Sequence, residues 1–230
     1  MARRKYKRRT RRRMRRRRRR IPKSLLGDSR VVKHKYCFAG QQLLDSNLAV
    51  VESFRLLSPV DPDVSELGLQ QSVRGFNEMH TMFNNCQVLG AKIRITWLPA
   101  LGSHNQVYWC TIDKFNQLGQ PSPNLNEILN KRNVVYRYSM TNPGSTMGTT
   151  IVRKHSPKNF NSFTDYKDAE EYQCIPATEL LAQDVTENYI NFGYSTTHAG
   201  LGAIAVCDFA ITIDYLIRWF GPVNPPESFL

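Results

Sequence analysis

The sequence predicts an all-β fold, an antiparallel sandwich or jelly roll, behind a strongly basic N-terminal arm. Three observations predict it. Short runs of β-branched and aromatic residues alternate with polar ones, most clearly over 208–220. Nowhere does a strand–helix–strand rhythm suggest a parallel α/β sheet. Finally, 15 of the 32 Lys and Arg residues fall within positions 1–20, leaving 17 against 19 Asp and Glu over 21–230. The body is therefore slightly acidic, and the formal net charge of +13 belongs to the arm. Such a split indicates two parts with separate tasks.

The arm ends at "IPKS", where Pro22 restricts Ile21 to extended conformations. "RVVKHKYCF" (30–38) alternates and reads as a strand, and "NLAVVESFRLL" (47–57) as a second. "SPVDPDVSELGLQQS" is a loop by its prolines, acids and glycine. In "VRGFNEMHTMFNN" (73–85), Phe76, Met79, His80 and Phe83 recur at helical spacing and predict a short helix. "AKIRITWLP" (91–99) places Ile93, Ile95 and Trp97 opposite Lys92, Arg94 and Thr96. The turn-rich "ALGSHN" separates it from "QVYWCTID" (106–113), which predicts a hairpin.

"NVVYRYSM" (133–140) and "GTTIVRKHS" (148–156) are strands flanking the turn "TNPGSTM", and "NYINFGYST" (188–196) is another strand. The longest is "DFAITIDYLIRWF": Phe209, Ile211, Ile213, Tyr215, Ile217 and Trp219 share one face. Thr212, Asp214 and Arg218 share the other, with Leu216 the exception. The sum is about eight strands, long connections and little helix. A body of ~210 residues is large enough for one substantial core, and no linker or internal repeat divides it.

Several function classes lose support. Cys37, Cys86, Cys110, Cys174 and Cys207 are scattered without a CxxC pair, which fits reduced, buried thiols better than a disulfide framework. "IPKSLLGDS" is too short and polar for a secretory h-region. No run approaches the ~18 apolar residues of a membrane span, so membrane insertion is not expected. Six consecutive arginines at 15–20 charge a helix all round, unlike a mitochondrial presequence.

Enzyme motifs are missing too. His34, His80, His104, His155 and His198 lie far apart, without metal-ligand spacing, and read as structural or surface histidines. "HAGLGA" (198–203) has Gly200 and Gly202 but no third glycine, so it reads as a turn. Asp165, Asp168, Glu170 and Glu171 cluster in "TDYKDAEEYQ" (164–173) without the glycine of a calcium loop. The expectation is a chain with no catalytic residues, no metal and no cofactor.

The arm needs no built geometry to act. Arginine offers planar, bidentate hydrogen bonds to phosphate and stays charged at any relevant pH. A contiguous block cannot bury itself, so it is expected to be disordered until it meets a polyanion. Binding would be tight, salt-sensitive and indifferent to base sequence, through released counterions. The residues concerned are Arg3, Arg4, Lys5, Lys7, Arg8, Arg9, Arg11, Arg12, Arg13, Arg15, Arg16, Arg17, Arg18, Arg19 and Arg20. Acting collectively, they bind nucleic acid, and they exceed the 5–8 basic residues that suffice as a nuclear localisation signal. Tyr6 could stack on an unpaired base, or be incidental.

An arginine-rich arm on a neutral β sandwich, together with "NNCQVLGAKIRITWLPA" (84–100), "HAGLGA" and "DFAITIDYLIRWFGPVNPPESFL", resembles the capsid (coat) proteins of circoviruses and cycloviruses, small circular single-stranded DNA viruses. The resemblance runs end to end, and order and spacing carry it more than any one motif. It implies an arm over 1–22 and, over 23–230, a single viral jelly roll, an eight-stranded antiparallel β sandwich with long loops. In it, 84–100 would be the family's fourth strand and 208–230 its last strand and tail. It further implies sixty copies in a T=1 icosahedral shell, arms turned inward on a packaged single-stranded DNA genome, and host nuclear import receptors as partners. The chain would then occupy the virion, and the host nucleus during assembly.

Some members of that family attach to cell-surface sulfated glycosaminoglycans through a basic strip. The corresponding stretch here has only Lys92 and Arg94, so no receptor residues are assigned. Lys131, Arg132, Arg153, Lys154 and Lys158 read as ordinary solvated side chains. The competing reading is a nucleic-acid-binding regulator or chaperone with a β domain and no shell.

Overall fold

The chain's strands pair from the outside inward, first with last. In the structure, a computed structural model, residues 29–45, 48–49, 51–64, 72–98, 106–121, 125–139, 148–162, 173–174, 187–196 and 205–222 are described. The strands are β1 (Ser29–Asp45), β2 (Leu48–Ala49), β3 (Glu52–Arg55), β4 (Phe83–Trp97) and β5 (Gln106–Asp113). They are followed by β6 (Val135–Ser139), β7 (Thr149–His155), β8 (Gln173–Cys174), β9 (Tyr189–Thr196) and β10 (Ala205–Pro222). Short helices α1 (Phe76–His80), α2 (Leu125–Asn130) and α3 (Pro157–Phe160) lie between them.

Setting aside the two-residue β2 and β8, eight strands remain. β1 pairs β10, β3 pairs β9, β4 pairs β7 and β5 pairs β6, all antiparallel. This is one long hairpin of paired strands rolled over on itself. Rolling it yields a six-stranded sheet ordered β2-β1-β10-β4-β7, with β8 also on β4, and a four-stranded sheet ordered β3-β9-β5-β6. The fold is an antiparallel jelly roll, as the alternation predicts.

β10 runs at the centre of the larger sheet, and its burial alternates as its sequence does. Phe209, Ile211, Ile213, Tyr215, Ile217 and Trp219 are all buried, while Asp208, Asp214 and Leu216 are exposed. Leu216 is the apolar exception, 36% exposed, next to a β-bulge where β10 slips register on β4. Facing side chains interdigitate between the sheets. Phe38 tilts against Phe54 at 5.5 Å, and Trp97 meets Phe192 edge-on at 5.8 Å. Such rings bury large apolar areas and set the sandwich's thickness.

Key polar groups that enter this core are paired. Trp97 Nε1 donates to Gln42 Oε1 at 3.1 Å, and Gln42 Nε2 donates to the Phe192 carbonyl at 3.3 Å, linking β4, β1 and β9. Buried Glu187 collects the start of β9 and the turn after β3. Its Oε1 accepts from the backbone N–H groups of Leu56, Leu57 and Asn188, and its Oε2 accepts from Ser58 Oγ at 2.6 Å. A second cluster of Val51, Trp109 and Ile128 seats α2 on the outer face of the smaller sheet.

Four expectations need correction. The hairpin between 91–99 and 106–113 does not form: β4 and β5 lie in different sheets. Both edges of β4 are taken, by β10 on one side and β7 with β8 on the other, so β5 pairs β9 and β6 instead. The strand over 47–57 is two, β2 and β3, on opposite sheets. The helix over 73–85 is only Phe76–His80, because Phe83 already opens β4. And the stretch 84–100, read as a fourth strand, holds that place in chain order only if β2 is counted; among the eight nested strands β4 is third.

Candidate nucleic-acid interface

The fifteen basic residues of the arm, with Tyr6, lie outside the described residues, as do 163–172 and "HAGLGA". What the structure does place is the strand that follows the arm. β1 begins at Ser29, opposite Phe220 of β10, in the six-stranded sheet.

That sheet turns its inner face to the core and its outer face to solvent, and the side chains alternate between them. The outer face carries Lys33 and Lys35 from β1, Lys92 and Arg94 from β4, and Lys154 from β7, all exposed. Register aligns them. Lys35 stands opposite Asp214, Asp214 opposite Lys92, and Lys92 opposite Lys154, forming one row across four strands. The adjoining row holds Cys37, Thr212, Arg94 and Val152; on the other side, Lys33 faces Leu216 and Gly90. Strands about 4.8 Å apart and alternate residues about 6.7 Å apart put these five cations within a patch roughly 14 Å across. None of the five joins an ion pair among the described residues. Among the described residues Asp214 is the acid within the row, with half-buried Arg218 and exposed Asp208 farther along β10.

The other basic candidates disperse. Lys131 reaches Gln117 Oε1 and lies 5.3 Å from the Trp109 ring centroid, packing α2's end onto the smaller sheet. Arg153 points between the sheets and donates to the Asn133 carbonyl at 2.7 Å. Arg132 and Lys158 are exposed outside the row. Sequence reading saw Lys92, Arg94 and Lys154 but missed Lys33 and Lys35. Their alternation in "KHK" was a signal of facing, yet only non-local register shows what they face.

His34 and His155 take structural places, as do the buried cysteines among the described residues. His34 Nε2 accepts from Trp219 Nε1 at 3.1 Å, which leaves its Nδ1 to donate to the Arg74 carbonyl at 3.0 Å. His155 is buried and accepts from Asn188. Cys86, Cys110 and Cys207 are buried, and burial pushes the Cys110 thiol up to about 11, away from a reactive thiolate. Cys37, expected to be buried, is exposed, because it falls on the outer parity of β1. The side chain of Cys174 lies outside the described residues.

A cavity of about 890 Å³ is lined by residues that include His34, Ala91, Ile112, Arg153, His155 and Tyr215. Glu52 and Glu187, whose carboxyls burial raises to about 7, are not among its lining. Among the described residues, no group of three His, Cys, Asp or Glu could hold a metal ion, and no helix is long and apolar enough to cross a membrane.

No protein-family model matches the chain. No curated protein matches it either. Among solved structures it is similar to that of Cocksfoot mottle virus (9% identity, TM-score 0.46), over 86% of this chain and 98% of the other. It is likewise similar to mud crab tombus-like virus (10%, 0.45), over 89% and 96%. A third is the decameric BFDV capsid protein (10%, 0.41), over 83% and 99%. With scores this low, the jelly roll rests on the chain's own strand order.

Proposed function

We propose that this chain is a viral coat protein that self-assembles into a closed shell and packages a single-stranded DNA genome through residues 1–22. One observation carries the reading: 15 of 32 cations precede a near-neutral jelly roll. A sandwich of this kind offers broad, rigid sides for packing against further copies, and the arm offers counter-charge that needs no fixed shape. The motifs shared with circovirus and cyclovirus coat proteins favour sixty copies in a T=1 shell, assembled in the host nucleus after import through the same arginines. In such a shell the arms together bring roughly 900 positive charges, enough to limit the length of genome carried.

Electron microscopy of the purified full chain tests this. Uniform closed particles are the expected result. Monomers or dimers at every salt concentration overturn it and favour a nucleic-acid-binding regulator or chaperone without a shell.

A further inference from the structure

We propose that the outer face of the six-stranded sheet is a second, ordered binding surface for the phosphate backbone of single-stranded nucleic acid. The proposal rests on the packaging role given above and assigns it a place on the folded body. The body's slightly acidic total conceals the feature, because its charges are segregated. Lys33, Lys35, Lys92, Arg94 and Lys154 converge from β1, β4 and β7 onto one face, with Asp214 the acid within the row among the described residues.

Three properties identify the occupant. First, five exposed cations that form no ion pair among the described residues are available to an external polyanion. Second, the patch includes β1, the first described strand after the arm in sequence, and covalent linkage to the arm raises the local concentration of any nucleic acid the arm holds. Third, among the described residues, none of the outer-face positions that register places in these rows is aromatic. The surface therefore contacts phosphates without stacking bases, and it accepts any sequence.

Two measurements on the full chain test the assignment, with a single-stranded thymidine oligonucleotide as probe. In the first, lysine acetylation is mapped with and without the oligonucleotide. Lys33, Lys35, Lys92 and Lys154 become several-fold less reactive, while Lys114, in the loop after β5, does not change. In the second, Lys33, Lys35, Lys92, Arg94 and Lys154 are all replaced by Gln, and the dependence of affinity on salt is measured. At about 0.7 per phosphate contact, the slope shallows by up to about 3.5, and a version with all four lysines changed to Arg keeps it. If the five-site variant does not fold, the double variant Lys92→Gln/Lys154→Gln reads the same effect at about 1.4.

An unchanged slope overturns the inference. So does protection that rises with protein concentration in the absence of nucleic acid, which marks the face as a contact between copies. Protection by heparin but not by the oligonucleotide overturns it as well, in favour of a sulfated polysaccharide. Failure of the packaging reading is distinct, since removing the arm would then leave affinity unaltered.

Discussion

The side-chain amide of Asn188 donates to Nε2 of His155 at 3.1 Å, joining the end of β7 to the residue before β9. The bond requires a neutral ring. Burial, and secondarily the charge of Arg153, lower the His155 pKa from 6.5 to about 4. A depressed histidine contributes stability that is complete above pH 6.5 and is lost as pH falls through about 4. The loss is on the order of 3 kcal/mol. The expected outcome is a urea midpoint that falls over this window in the native chain and falls less in His155→Gln. Parallel pH profiles for the two proteins count against the assignment.

Glu187 works in the opposite direction. Burial raises its carboxyl from 4.5 to about 7 against the hydrogen bonds from Ser58, Leu57 and Asn188. The folded state therefore holds a proton that the unfolded chain releases, and stability declines as pH rises from 4.5 to about 7. Glu187→Gln removes that decline while keeping an acceptor for the three N–H groups. Glu187→Ala orphans them and costs about 2–4 kcal/mol. Denaturation of both variants at two pH values separates the effects, and equal stabilities for Gln and Ala would contradict the bonding.

Ile128 is fully buried against Trp109 and Val51, outside the main core. Ile128→Ala should cost about 2–4 kcal/mol if its cavity does not collapse. Amide exchange should accelerate in α2 far more than in β10. Uniform acceleration across both would mean that the two clusters unfold as one.

Deleting residues 1–20 should leave a soluble, folded body and abolish tight nucleic-acid binding. With fifteen cations gone, the salt slope on single strands shallows by about 10. Tight, salt-resistant binding by the truncated chain would defeat this division of labour.

The sequence made legible whatever depends on a strand's own alternation. β10 could be read residue by residue, because a half-buried strand writes its inward face at every second position. β5 matched its predicted limits but not its partner, since edge competition with β10, β7 and β8 is decided by distant residues. The same cause hid the cationic row: Lys35 and Lys154 lie far apart in sequence and meet only through β10 and β4. Glu187 gave no local hint at all, as it also accepts from Leu56 and Leu57 backbone groups more than a hundred residues away.

The pairing of first strand with last also sets a clock. Ser29 lies opposite Phe220, so β1 waits for about 190 further residues before its partner exists. At roughly 5–20 residues per second, that wait is on the order of 10–40 s of synthesis. Throughout it, the cationic residues ahead of β1 have already been made, while the sheet behind them has not closed. Long-range pairing of this kind is slow to form even in a finished chain. A nascent chain thus carries its charge well before its sandwich closes.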